Sequence, residues 1–194
     1  VPAKKKRFEF SFTVLDTPDQ VNAFALPGGH IYFYSALICT ASSEAQVAAV
    51  LGHETAHVTE DHVSQNLAAQ LGTEVLISMA LGNDPGQVAA LAAQIAQQGY
   101  LASYSRDSES EADAVGLGYL AAAGYEPTAM AEFFEKLDAL RASAPGALEG
   151  FFASHPDPAD RAKVVRTLIQ QHKLGPGQAS QVGGLEDVQG RIGC

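Results

Sequence analysis

Residues 53–57 read His53-Glu54-Thr55-Ala56-His57, and the rest of the chain is read outward from them. On an α-helix, residues i and i+4 share one face, so two imidazoles at this spacing can grip one metal ion with little strain. Glu54 is turned about 100° from His53. It therefore sits beside such an ion without ligating it, next to the position left for water. Zinc lowers the pKa of a bound water to about 7, so a neighbouring carboxylate can take its proton at neutral pH. The same five residues can arise by chance on a solvated helix, so the surroundings decide.

Those surroundings favour a helix that holds a metal. Ser43-Glu44-Ala45-Gln46 reads as a capping box, with Ser43 accepting from a free N–H and Gln46 reaching back. From there to about residue 66 there is no Pro, and Gly52 is the weak helix former. Val47, Leu51 and Val58 fall on an apolar stripe at the back, while His53, His57, Glu60 and Asp61 occupy the front. An ordinary amphipathic helix would give that front to Lys, Glu and Gln. We expect one helix over about 43–66 with the metal site on its polar face.

The 194 residues are most simply one domain, expected over 1–174, with a core of useful size. Apolar content of 46% and charged content of 18% are ordinary for a globular protein. A net charge of −10 argues against nucleic acid, which needs clustered Lys and Arg. Lys4-Lys5-Lys6-Arg7 reads as a solvated arm, with a membrane-surface contact as the lesser alternative. Cys39 and Cys194 have no ligand spacing, and whether they pair is open. Val1 is not a native start, so residues are expected to have preceded it. No apolar run approaches the ~18 residues that cross a bilayer. Val75 to Leu81 is the most apolar stretch, enough for a membrane contact and not for a span.

Phe8 to Leu15 alternates apolar with polar residues and reads as a half-buried strand. Val21 to Leu26 and Ile31 to Tyr34 are two further strands around the turn Pro27-Gly28-Gly29-His30. Together they predict a three-stranded, largely antiparallel sheet. Asn22, Ala23, Phe24 and Ala25 are candidates for an exposed edge that binds an extended polypeptide substrate as an added strand. An ordinary protected edge is the equal alternative. After Ser35 the pattern is helical, with helices expected to about residue 81 and over 87–103, 107–123, 127–142 and 156–173. Residues 144–154 read as a loop, and 175–194 as a weakly ordered, Gly-rich tail.

A catalytic zinc takes three protein ligands and leaves one position open. The pattern HExxHxxGxxH is excluded, because Glu60 and Val63 stand where its Gly and last His would be. The other arrangement draws a carboxylate from a later helix, and Ser108-Glu109-Ser110-Glu111-Ala112-Asp113 supplies three. Glu109 and Asp113 share a face, along which Ala112, Val115, Gly116 and Tyr119 follow. Glu109 is thus the candidate ligand, and Asp113 the acceptor for a ligand imidazole, expected to be His53. Glu111 is the rival ligand. A solvated, acidic first turn would explain the same residues.

At this point the chain resembles a known family. Asn22-Ala23-Phe24-Ala25-Leu26-Pro27-Gly28-Gly29, Leu51-Gly52-His53-Glu54 with His57, and Glu109-Ser110-Glu111-Ala112-Asp113 with Gly116 together look like the CAAX-prenyl-protease-like (HtpX-like) zinc peptidases of the gluzincin clan. The resemblance covers roughly residues 20–165. It implies an α+β, mainly helical fold with a small sheet beside the active-site helix. It also implies a Zn²⁺-dependent endopeptidase whose third ligand is Glu109. In the soluble bacterial branch that the chain is similar to, it implies work in the periplasm or cell envelope on misfolded or misassembled proteins.

Ser154-His155-Pro156 followed by Arg161 looks like the HPxxxxR segment of that family. His155 is a candidate to stabilise the oxyanion or, alternatively, to occupy and block the metal's open position. Arg161 is a candidate to bind a substrate carbonyl or a site carboxylate. Tyr32, Tyr34, Tyr100 and Tyr104 are further oxyanion candidates, and His30, His62 and His172 read as surface residues. The resulting expectation is one Zn²⁺ per chain held by His53, His57 and Glu109, with Glu54 as general base and then proton donor. Two rivals stand beside it: a zinc-containing chaperone or assembly factor with a latent, His155-blocked site, and a membrane-docked protease using residues 75–81.

Overall fold

The computed structural model describes residues 8–71, 85–98, 103–155, 158–177 and 184–194. The basic run 4–7, the apolar stretch 75–81, Tyr100 and Pro156 lie outside them. Three strands, β1 (Ser11–Leu15), β2 (Ala23–Leu26) and β3 (His30–Tyr34), form a sheet in the order β1-β3-β2. Helices follow: α1 (Ser35–Thr40), α2 (Glu44–Thr59), α3 (His62–Leu71), α4 (Pro85–Gln98), α5 (Arg106–Ala122) and α6 (Thr128–Ser143). A 3-10 turn at Pro145–Leu148 leads into α7 (Glu149–Ser154), then α8 (Pro158–Gln171) and α9 (Leu185–Ile192). The fold is mainly helical α+β, as expected.

The sheet is mixed, which corrects the largely antiparallel reading. β2 and β3 form the expected hairpin, with Leu26 opposite His30 and Ala23 opposite Phe33. Gly28 and Gly29, at φ of 95° and 99°, supply the left-handed backbone that so tight a turn needs. β1 instead lies parallel to β3, Ser11 beside His30 and Leu15 beside Tyr34. Residues 16–22 are a connection rather than a hairpin. They are held where Thr17 N–H donates to Ser35 Oγ at 3.0 Å and Val21 N–H donates to Ala147 O at 2.8 Å. Alternation in sequence reports which residues share a face and is silent on strand direction. β1 is also less buried than expected: Phe8 and Phe10 reach the core, but Phe12 and Val14 are 59% and 51% exposed.

Both faces of the β2–β3 hairpin are covered. Ala23, Ala25, Ile31 and Phe33 join a core with Leu37, Val58, Val63, Phe133 and Leu137. On the other face, Phe24, Leu26, Tyr32 and Tyr34 meet Val88, Leu91, Ala92 and Ile95 of α4. Asn22, Ala23, Phe24 and Ala25 are therefore 1%, 1%, 5% and 0% exposed, so of the two readings of this strand, exposed edge or protected edge, the burial is that of a protected one.

α2 begins as the capping box foresaw, with Ser43 Oγ accepting from Gln46 N–H at 3.3 Å, although Gln46 Oε1 reaches Ser42 N–H, at 2.8 Å, rather than Ser43. It does not run to residue 66. The helix stops at Thr59, Asp61 adopts φ 65°, and α3 restarts at His62 in a new direction. Asp is one of the few residue types that enter this left-handed region at modest cost. Across α2 lies α5, capped by Ser105 Oγ accepting from Ser108 N–H at 3.1 Å. The two axes approach so closely that a Cβ on Gly52 would stand 2.8 Å from Gly116 O, and one on Gly116 2.8 Å from His53 N. Side chains from α2, α5, α6 and α8, among them Ala49, Leu117, Met130, Phe134 and Val165, fill the space around this crossing.

Residues 144–154, expected to be a loop, form the 3-10 turn and α7, anchored by buried Leu148 and Phe151. Within 175–194, read as a weakly ordered tail, Leu185–Ile192 form α9. Its Leu185, Val188 and Ile192 pack on the core beside the sheet, and Gln189 Nε2 donates to Ile38 O and Ala41 O at 2.9 and 3.0 Å. A Cys39–Cys194 disulfide closes the contact, with Cα atoms 5.5 Å apart.

Candidate active site

The α2–α5 crossing turns the polar face of α2 inward. His53, Glu54 and His57 are 5%, 1% and 0% exposed, and Glu109 and Asp113, arriving from α5, are 3% and 1%. The end of α7 adds His155 and α8 adds Arg161, both buried. His57 Nε2 lies 3.0 Å from His53 Nε2 and 3.2 Å from Glu109 Oε1. His155 Nδ1 is 2.9 Å from Glu109 Oε1 and 3.4 Å from His53 Nε2. One ligand atom from each of His53, His57, Glu109 and His155 falls within 4.8 Å of all the others. Three buried imidazoles and a buried carboxylate gathered this way are a donor set for a metal ion. Glu54 borders the group, its Oε1 3.7 Å from His155 Nε2 and its buried Oε2 without a hydrogen-bond partner among the described residues.

Asp113 Oδ1 stands 3.0 Å from His53 Nδ1. Arg161 forks onto the same carboxylate, Nε to Oδ2 at 2.8 Å and Nη2 to Oδ1 at 2.7 Å. Its Nη1 pairs with Glu109 Oε2 at 2.6 Å, out of line for a hydrogen bond, and its guanidinium lies 4.2 Å over the Phe134 ring. Of the two roles open to Arg161, the geometry is that of a partner for site carboxylates. Glu111, the rival ligand, is 56% exposed and faces His62 instead. Asn22, Ala23, Phe24 and Ala25 are not among the residues gathered here; they lie at β2, which packs beside α2.

Comparison with known proteins bears on the same residues. Residues 1–169 match peptidase family M48. The chain belongs to that family. It is 32% identical over 191 residues to the beta-barrel assembly-enhancing protease of Yersinia pestis, an alignment covering 92% of this chain and 38% of that relative. It is 34% identical over 149 residues to the mitochondrial metalloendopeptidase OMA1 of Arabidopsis thaliana, covering 75% of the chain and 29% of the relative. To the metalloprotease LoiP of Escherichia coli K12 it is 34% identical over 150 residues, covering 75% and 58%. The chain thus spans well under half the length of the first of these relatives. M48 peptidases are metal-dependent, and the buried His and Glu donors of this chain form a group that could hold a metal ion.

Electrostatics in this M48 site follow from burial and close charge. Burial alone would raise the Glu109 carboxyl, but His155 and Arg161 together hold it well below the usual carboxylate range. Asp113 is likewise lowered, its burial outweighed by the Arg161 fork and by His53. Glu54 goes the other way: burial raises it, and His155 and His53 only partly oppose this. A carboxylate raised toward neutrality is suited to taking and returning a proton. Burial also pushes His57 well below the ordinary imidazole value, so the ring is neutral with a lone pair to offer. His155 is raised, its burial overcome by Glu109 and Glu54.

Two neighbours of the donors were not singled out in sequence. Tyr104, one of four undistinguished tyrosines there, stacks on His57 with ring centroids 3.9 Å apart at 22°. Its N–H donates to Ser154 O at 3.0 Å, tying it to the segment that carries His155. Burial pushes its hydroxyl well above the ordinary value. Tyr32 and Tyr34 point instead into the sheet–α4 core. His62, read as a surface residue, is only 6% exposed and lies against His57. The signal for it was Asp61, a residue type that tolerates the helix-breaking conformation. His172 is at the surface, as read, and His30 is half-buried.

Proposed function

We propose that this chain is the catalytic domain of a zinc-dependent endopeptidase, with His53, His57 and Glu109 as ligands and Glu54 as general base. The observation that carries the reading is the convergence of those buried donors with Glu54 beside them. Four tetrahedral ligands about 2.0–2.1 Å from a zinc ion stand roughly 3.3 Å apart. Among these three ligands the donor pairs, at 3.0 Å for His53–His57, 3.2 Å for His57–Glu109 and 3.7 Å for His53–Glu109, lie near that spacing. Bound zinc would supply Lewis acidity toward water and the scissile carbonyl. The chain's own residues do the rest. Glu54, kept from ionising early by burial, accepts a proton and returns it to the leaving amine. Asp113 orients His53, and Arg161 balances the charge of Asp113 and Glu109.

Polypeptide is the substrate class of the family. Strand addition at β2, the outer strand beside α2, is the proposed binding mode, and because that strand is buried it requires the covering side chains to move aside. Envelope protein quality control, in the periplasm or cell envelope, draws on the relatives named as beta-barrel assembly-enhancing proteases. The Cys39–Cys194 disulfide supports an oxidising compartment. No described helix is long and apolar enough to cross a membrane.

A second reading rests on His155, whose Nδ1 lies within the donor group. If this imidazole takes the fourth position, the site is latent and serves a chaperone or assembly role. Exchanging Glu54 for Gln tests the main reading: zinc content should persist while casein cleavage falls by at least about 100-fold, the lower end for a lost general base. Cleavage at the wild-type rate would refute it. A rise in cleavage on exchanging His155 for Ala would favour the latent state.

A further inference from the structure

His53 and His57 present Nε2 to the cluster and leave Nδ1 facing outward, whereas His155 presents Nδ1. His53 Nδ1 has Asp113 Oδ1 at 3.0 Å. For His57 the partner at Nδ1 is another imidazole: His62 Nδ1, at 3.2 Å, with the two rings 5.2 Å apart at 68°. His62 Nε2 then lies 3.3 Å from Glu111 Oε2. We infer that His62, braced by Glu111, is the positioning residue that fixes the tautomer and orientation of His57 for metal binding.

The proton positions follow from the contacts. With Nε2 of His57 offered to the metal, its proton sits on Nδ1 and is donated to His62 Nδ1. His62 accepts there, so its own proton sits on Nε2 and is donated to the Glu111 carboxylate. The chain runs carboxylate, imidazole, imidazole, metal, and both ring nitrogens of His62 have a complementary partner in it. A ligand histidine whose second nitrogen is held in this way is both oriented and made a better donor.

The backbone is shaped for the contact. On an unbroken helix, residue 62 would stand about 140° around the axis from residue 57, facing elsewhere. The stop at Thr59 and the left-handed Asp61 bring the ring back against His57. Glu111, two residues and about 200° around the helix from Glu109, reaches His62 from the outer side of α5 while Glu109 reaches the metal group from the inner side. The acidic stretch 109–113 therefore serves both ligand histidines, Asp113 behind His53 and Glu111 behind His57.

This role presupposes the metal site proposed above, and zinc titration of the metal-free protein against a chromophoric chelator separates the two. Wild type that takes up no zinc defeats the site itself. Given wild-type binding, two variants decide on His62. His62→Phe keeps the bulk of the ring and loses the acceptor, and zinc affinity should drop by about 10–100-fold. His62→Asn loses bulk and keeps an acceptor oxygen, and affinity should remain within about threefold, on the same reasoning. A purely space-filling residue would order the two variants the other way, and equal affinities in both would likewise overturn the role. Glu111→Gln, at an exposed position that folding tolerates, should weaken binding in the wild-type background and have no further effect beside His62→Phe. Additive losses there would show that Glu111 does not act through His62.

Discussion

Arg161 brings a full positive charge into a site that is otherwise a set of weak bases and acids. It neutralises Asp113 and Glu109 at once, at 2.7 and 2.6 Å, from a side chain that is itself buried. Removing one member of a buried pair leaves its partner charged and unsolvated. Arg161→Ala should therefore lower the unfolding free energy of the metal-free protein by about 3–5 kcal/mol, read by denaturant titration. A change under about 0.5 kcal/mol would mean that water screens these carboxylates as it does surface pairs. At this scale the sequence was readable where spacing encodes geometry. His53, His57, Glu109 and Asp113 lie on helix faces that simple rotation predicts. His62 and Tyr104 were not readable, because one depends on a helix break and the other on how two distant segments stack.

At the scale of elements, the site exists because α2 and α5 touch backbone to backbone. Gly52 and Gly116 permit this, since a methyl group on either would stand 2.8 Å from the other helix's backbone. Gly52→Ala should cost about 1–3 kcal/mol through overpacking, even though Ala is the better helix former. Gly118 is the matched control. It sits on the same helix as Gly116, exposed, and a Cβ there would meet nothing within 4 Å. Gly118→Ala should thus be neutral or stabilise by up to about 1 kcal/mol. Thermal melts of the pair check both signs, and stabilisation by Gly52→Ala would contradict the close crossing. In sequence, Gly52 registered as a weak helix former and as part of a family-like motif, with no packing role attached. Its use emerges only with the partner helix, just as the parallel placement of β1 emerges only with the connection that carries the chain past β3.

For the whole molecule, the chain end is fastened rather than loose. α9 packs on the core beside the sheet, and the Cys39–Cys194 bond links residues 155 positions apart. Cross-linking so long a loop stabilises by about 5 kcal/mol in the chain-entropy account, and disulfides typically deliver about 2–4 kcal/mol. Cys194→Ser, or reductant added to the wild type, should lower the melting temperature accordingly, and an unchanged melt would show that α9 holds without the bond. Gly and Gln content had suggested a weakly ordered tail. Composition could not foresee that a short amphipathic helix near a cysteine would find Cys39. The larger architecture, a small sheet against many helices with the metal group where they cross, was legible from motif and resemblance together.

All of these scales meet at one point in space, and the most direct test looks there. Anomalous diffraction at the zinc edge from crystals of the zinc-loaded protein should show one ion per chain. It should lie about 2.0–2.2 Å from His53 Nε2, His57 Nε2 and a carboxylate oxygen of Glu109. A zinc ion held by Glu111 instead, or no ion at this cluster at saturating zinc, would contradict the account.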